Sequence, residues 1–320
     1  MQGLVTVFGG SGFLGAHTVR ALAKRGLRVR VAVRNPGRGY RLRMLGDVGQ
    51  VQVVQANVRN PESIARALDG AQACINLVGV LYQAGRQTFQ AIHVDGARRL
   101  AEAAAAAGVQ RFVQVSAIGA DATSRSSYAR SKALGEAAAR EIIPEAVVLR
   151  PSILFGQEDH FFNRFAAMAA ISPVLPLIGG GASRFQPVFV GDVAAAVAVA
   201  VTDPATGGRT FELGGPGVYS FKALMQLIAR ETGRRPILAP IPFPLASLIG
   251  MGGDLVAGLI PPLLTRDQVE LLRSDNVTAP GAPGLADLGV EPTALESILP
   301  TFLFRYRKGG QYAEAMARGA

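Results

Sequence analysis

The sequence predicts an α/β fold, a doubly wound parallel sheet with a smaller C-terminal α/β lobe, and two observations carry that expectation. Short β-branched runs alternate with helical patterns over residues 1–150, whereas after Pro151 short elements are punctuated by Pro and Gly. Strands separated by helices of this length imply right-handed crossovers and parallel pairing.

The elements follow in order. Leu4 to Phe8 reads as a buried strand and Phe13 to Arg25 as a helix with Leu14, Val19, Leu22 and Ala23 inward. Val29 to Val33 and Val51 to Gln55 are the next strands, and Asn60-Pro61 starts a helix over Ser63 to Leu68. Cys74 to Val78 is a fourth strand, Asp95 to Ala107 an Ala-rich helix stopped by Gly108, and Phe112 to Ser116 a fifth strand. Ser127 to Ile143 is helical and Ala146 to Arg150 extended. Beyond Pro151, Pro187 to Val190 and Asp192 to Val201 read as one strand and helix returning to the main sheet. The expected division is therefore residues 1–150 with 186–203 in one unit, and most of 151–320 in a lobe over the sheet's carboxyl edge.

Bulk composition narrows the class. The 320 residues are 49% apolar and contain one cysteine, which suits a globular core and excludes a disulfide framework or a multi-Cys metal site. Cys74 sits in an apolar run and reads as a buried strand residue, and this cysteine usage suits a reducing compartment. His17, His93 and His160 have no metal-ligand spacing, so no metal is expected. No signal-peptide pattern opens the chain, and the apolar stretch Ile237 to Leu264 is broken by prolines, glycines and Asp254 in a way a spanning helix tolerates poorly. It can still lie against a membrane or a partner.

The net charge is +10, carried by arginine, with lysine only at 24, 132, 222 and 308. Nine basic residues and no acidic one lie between Arg20 and Arg43. Nucleic acid, an anionic membrane or protein surface, and a phosphorylated ligand all fit such charge. The aromatic-interleaved basic patches of RNA binders are missing, which ranks nucleic acid last.

The most informative motif is Gly9-Gly10-Ser11-Gly12-Phe13-Leu14-Gly15, between the first strand and first helix. Gly9 allows a sharp turn, Gly12 a close approach of backbone to a pyrophosphate, and Gly15 the packing of helix on strand. Backbone N–H groups at the helix start then face the diphosphate charge. This is the phosphate loop of a Rossmann sheet. A site preferring NAD(H) would place a carboxylate after the second strand, but here the strand ends at Val33-Arg34 and no acid precedes Asp47. Arg34 can face a 2′-phosphate, which favours NADP(H) over NAD(H). Arg38 and Arg41 read more simply as solvated loop residues. Asn57-Val58 and Val78-Gly79, after the third and fourth strands, stand where adenine and ribose would pass.

Tyr128 and Lys132 lie one helical turn apart on one face, in a chain that otherwise uses Arg for positive charge. An ammonium here can bind ribose hydroxyls and lower the phenol's pKa, while Ser116 at the end of the fifth strand can orient a carbonyl. A surface i,i+4 pair with a capping serine is the simpler alternative.

Together the glycine loop, Ser116, Tyr128 and Lys132 resemble the short-chain dehydrogenase/reductase superfamily. That resemblance implies Tyr as general acid/base, Lys on the nicotinamide ribose and Ser on the substrate. Leu149 to Gly156, including Pro151 and Ile153, and Pro187 to Ala194 resemble its extended, epimerase-like branch, in which Pro151 and Ile153 would line the nucleotide. Two departures stand out: His93 where the branch usually has Asn, and Asn57 where it has Asp.

Phe155 to Phe165, Arg184 to Val188, Ser274 to Val277 and Phe304 to Lys308 are similar to the NAD(P)-binding accessory subunits of respiratory complex I and their alphaproteobacterial relatives. The resemblance implies a structural NADP(H), partners in the hydrophilic arm, and a peripheral place on the cytoplasmic face of a bacterial inner membrane. Arg305, Arg307 and Lys308 beside Phe302, Phe304 and Tyr306 would suit an anionic surface, although these aromatics could instead fold inward. An active NADP-dependent reductase or epimerase-like enzyme, acting on an apolar carbonyl or hydroxyl such as a quinone precursor or lipid, is the alternative.

Overall fold

Val- and Ile-rich runs form strands here because both faces of the sheet are covered by helices. In the computed structural model, which describes residues 3–312, the strands are β1 (Leu4–Phe8), β2 (Arg28–Val33), β3 (Val51–Gln55), β4 (Ala73–Asn76), β5 (Arg111–Val115) and β6 (Val147–Pro151). With Thr210–Leu213 they make a seven-stranded sheet, ordered β3-β2-β1-β4-β5-β6 and then Thr210–Leu213. Every pairing in it is parallel. The order reverses between β1 and β4, which opens a crevice at their carboxyl ends.

Helices α1 (Phe13–Lys24), α2 (Pro61–Leu68), α3 (Asp95–Ala106) and α4 (Ser127–Ile142) belong to the crossovers. The short helix α5 (Phe162–Ile171) lies in the lobe, and α6 (Val190–Thr202) packs beside α1. One core joins α1 and α6 to one face of the sheet through Leu14, Val19, Leu22, Val193 and Val197. A second joins the other face to α2 and α3 through Ile64, Leu68, Leu100 and Ala104. The start of α2 shows why the chain turns there: the Asn60 side chain accepts from the Ser63 backbone N–H, and Pro61 occupies the first turn.

Two expectations need correction. Val188–Phe189 does not enter the main sheet; it pairs with Leu154–Phe155, because the edge of β6 is already taken by Thr210–Leu213. Only the helix that follows returns to the sheet. The seventh strand itself lies in a stretch that reads as Pro/Gly punctuation.

The lobe has its own core of Phe155, Phe162, Phe221, Leu224 and Phe302, which involves α5 and α7 (Phe221–Glu231). Phe302 is buried, Phe304 and Tyr306 are half-buried, Arg305 donates to the Gln157 carbonyl (2.8 Å), and Arg307 donates to the Glu231 carbonyl (2.8 Å). The aromatics of this tail therefore fold inward, and both arginines are bound within the molecule. Exposed apolar surface is concentrated instead on α8 (Phe243–Val256) and the turn before α9 (Arg266–Leu271), where Leu255, Leu259 and Leu263 are 81%, 88% and 73% exposed. No helix among the described residues is long and apolar enough to cross a membrane.

Candidate dinucleotide site

The glycine loop lies at the switch between β1 and β4. Gly9 has φ +81°, and a Cβ there would come 3.1 Å from the Leu77 carbonyl carbon, so only glycine meets both demands. At Gly15 a Cβ would stand 2.4 Å from the Gly9 carbonyl oxygen. Gly15 thus seats α1 on the loop itself. The Gly10 Cα faces Val31 of β2. Ser11 and Gly12 are exposed, Phe13 is half-buried and Leu14 is buried. No side chain caps α1 at Gly12, which suits a helix start that meets an anion.

Asn57 makes a tight local turn, its Oδ1 accepting from the Arg59 backbone N–H at 3.1 Å. Val58 is buried against Gly96 of α3 and belongs to the core. Arg34, exposed at the end of β2, donates from Nη1 to Gln87 Oε1 at 2.7 Å. Arg41 is exposed, and the Arg38 side chain lies outside the described residues. The buried Asn76 holds the turn after β4: its Oδ1 accepts from Val78 N–H (3.0 Å) and its Nδ2 donates to Gln114 (2.9 Å).

At the other end of the crevice, Lys132 Nζ donates to the Val115 carbonyl at 3.0 Å, next to Ser116. Gly79 lies above it, where a Cβ would be 3.6 Å from His93 Nε2 and 3.8 Å from Lys132 Nζ. Tyr128 stands edge-on to His93 and to Phe89, with centroids 5.5 and 5.8 Å apart. Pro151 ends β6 opposite Leu213, and Ile153 N–H donates to Asn276 Oδ1 at 3.2 Å. Ser116 Oγ is buried and has no hydrogen-bond partner among the described residues. An orphaned hydroxyl at the strand end and a glycine cradle at the helix start both fit a dinucleotide laid across the crevice.

His93 has a defined proton. Val80 N–H donates to its Nε2 (3.0 Å), so the ring hydrogen sits on Nδ1 and is donated to Ser131 Oγ (2.8 Å). Ser131 in turn donates to the Tyr128 carbonyl at 2.7 Å. Burial, with Lys132 adding to it, holds His93 down at about 3, so it stays neutral.

The expected activation of Tyr128 by Lys132 is not found. Loss of hydration, with the nearby Asp267 carboxylate, pushes the phenol up to about 12. Burial lowers Lys132 itself to about 8, with Glu136 opposing the shift. Asp267 escaped the sequence reading because it lies far along the chain in α9. It accepts from Ser126 Oγ (2.8 Å), Ser127 N–H (2.6 Å) and Tyr128 N–H (3.0 Å), capping the helix that carries the Tyr–Lys pair. Among the described residues no group of His, Cys, Asp or Glu could hold a metal ion.

Sheet order, phosphate loop and strand-end residues define an NAD(P)-binding Rossmann protein of the extended short-chain type. More particularly, the chain belongs to the NAD dependent epimerase/dehydratase family, whose model matches residues 5–214. That match ends just after the last strand of the sheet, Thr210–Leu213. The chain is 37% identical over 308 residues to the mouse mitochondrial NADH dehydrogenase [ubiquinone] 1 alpha subcomplex subunit 9, covering 95% of this chain and 80% of the mouse protein. It is also 35% identical over 243 residues to a ceramide reductase of Caulobacter vibrioides, covering 76% of this chain and 75% of that one. An NADPH-dependent quinone oxidoreductase of Escherichia coli, solved with NADPH, shares the fold with a TM-score of 0.71 and 21% identity, over 93% of this chain and 99% of that one.

Proposed function

We propose that this protein is an NADP(H)-holding accessory subunit of a complex I-type NADH:quinone oxidoreductase, acting through its partners while the nucleotide stabilises its fold. The observation that carries this reading is the 37% identity to the mouse subunit, which runs through the lobe as well as the sheet. Nucleotide binding adds stability by mass action, because only the folded crevice offers the site.

In this reading Gly9 to Gly15 hold the pyrophosphate, with Gly10, Ser11, Gly12, Phe13 and Leu14 supplying backbone. Arg34 faces the adenosine 2′-phosphate. Asn57 and Val58 stand at the adenine, and Val78 and Gly79 at the riboses. Ser116, Tyr128, Lys132, Pro151 and Ile153 surround the nicotinamide end. A bound nicotinamide supplies hydride chemistry. Burial keeps the Tyr128 phenol protonated throughout the neutral range, so that it could only donate to a bound group there.

The exposed leucines of the α8–α9 hairpin support a peripheral place at the cytoplasmic face of a bacterial inner membrane, against the hydrophilic arm where it meets lipid. Affinity purification from mildly solubilised membranes tests the assignment. Recovery of complex I subunits is expected, and their absence sinks it.

The second reading, an active reductase of an apolar or lipid-like carbonyl, draws on the ceramide reductase relative and on the presence of Ser116, Tyr128 and Lys132. NADPH oxidation by the purified protein with such a carbonyl, abolished in Tyr128→Phe, would favour it over the first.

A further inference from the structure

Two guanidinium groups, those of Arg34 and Arg59, meet at one short turn that also carries the exposed Arg86. Residues Ala84 and Gln87 close that turn through two backbone bonds, Ala84 N–H to Gln87 O (3.1 Å) and Gln87 N–H to Ala84 O (3.0 Å). Arg34 reaches the turn from β2 and bonds the Gln87 side chain (2.7 Å). Arg59 reaches it from the segment after β3, its Nη1 donating to the Arg86 carbonyl at 3.1 Å. Arg86 itself is exposed on the turn.

The placement is built rather than incidental. Asn57 fixes the Arg59 backbone through its side-chain turn, and Gln83 Oε1 accepts from Phe89 N–H at 3.0 Å, tying the far end of the loop beside His93. None of the three arginines takes part in an ion pair among the described residues. Like charges brought to consecutive residues with no counter-charge repel, and a doubly charged oxyanion between them reverses the sign of that interaction. Arg34 and Arg59 offer planar forks suited to such an anion, and the Gln87 amide offers N–H donors of its own.

We propose that Arg59 is a second guanidinium of the subsite for a phosphate monoester on the adenosine ribose, and that the Ala84–Gln87 turn is the brace holding Arg34 and Arg59 to it. This rests on the NADP(H) reading above and adds a specificity-determining residue to it. The adenosine fragments 2′,5′-ADP and 5′-AMP isolate the subsite from anything at the nicotinamide end.

The test is calorimetric titration of the full chain and its Arg59 variants with both fragments. The wild type should prefer 2′,5′-ADP. Arg59→Ala should weaken 2′,5′-ADP about tenfold and leave 5′-AMP within about twofold, the loss expected for one charge-assisted contact. Arg59→Gln keeps a polar side chain while losing the charge, so it should lose the same preference, and a melting temperature equal to wild type shows that the fold is intact. If Arg34→Ala abolishes the preference but both Arg59 variants keep it, the NADP(H) reading stands and the role of Arg59 is overturned. Equal weakening of both fragments also overturns it, by showing a purely architectural arginine. A wild type that does not distinguish the fragments defeats the NADP(H) reading itself.

Discussion

The two ends of the nucleotide crevice are built on opposite principles. At the adenosine end Arg34 and Arg86 are exposed, and with Arg59 they have no acidic partner among the described residues. At the other end Lys132 is bonded to Val115, His93 to Val80 and Ser131, and Ser131 to the Tyr128 carbonyl, whereas the Ser116 hydroxyl has no partner among the described residues. One end leaves its charged groups in solvent, and the other buries its ionisable groups and leaves the Ser116 hydroxyl unpaired. The lesson is that one crevice can leave charge open to solvent at one end while it desolvates its ionisable groups at the other. Substitutions at the first end should change affinity, and those at the second should change stability.

The largest effect tests the first half of that contrast. Arg34→Ala should weaken NADPH binding about a hundredfold, the loss of a strong guanidinium–phosphate contact, while NADH binding and the melting temperature barely change. Equal loss for NADPH and NADH would place Arg34 elsewhere on the nucleotide.

The second half of the contrast predicts a pH signature. An unfolded histidine titrates near 6.5, and folded His93 only near 3, so between those values the unfolded chain binds a proton that the folded one refuses. Stability therefore falls as pH drops through that window. Asp159 opposes this between about 6 and 3.8, because burial raises its folded value and the folded state takes the proton first. Denaturant melts of His93→Asn should isolate the histidine: the difference in slope from wild type should approach about 1.4 kcal/mol per pH unit, one proton's worth. Parallel slopes in the two proteins would mean His93 is not buried neutral.

The smallest effect is expected at the residue that looks most catalytic. Tyr128→Phe removes one neutral hydroxyl at the nicotinamide end, so it should weaken NADPH no more than about tenfold and leave recovery with complex I subunits unchanged. A larger loss of affinity would show that the hydroxyl is a principal anchor of the nucleotide.

What could be read from the sequence follows from how local each signal is. The phosphate loop sits at a set offset from strands whose Val and Ile runs declare themselves, so the fold and the glycine turn at the head of the crevice were legible. Thr210–Leu213 was not: it is a four-residue edge strand between Gly-rich segments. Arg59 was missed because its position depends on a loop crossing from β4. Asp267 lies 139 residues from the Tyr128 it caps, and no periodicity reports such a contact. The tail aromatics were ambiguous because composition cannot tell a buried phenylalanine from one that meets a membrane.

That late edge strand also bears on the order in which the molecule is made. Its partner β6 is complete at Pro151, yet the residues that cover its outer edge come only after the chain has travelled through the first part of the lobe. During synthesis β6 therefore waits with unpaired backbone groups, the condition in which strands recruit foreign partners. Closing a long loop costs little more than closing a short one, so the delay is one of timing rather than of final stability. Glu212 N–H then donates to the Pro283 carbonyl at 2.8 Å, so the border of the sheet gains a contact from a still later segment. The nucleotide-binding half, although it comes first in the chain, is therefore not closed until the chain has passed Pro283.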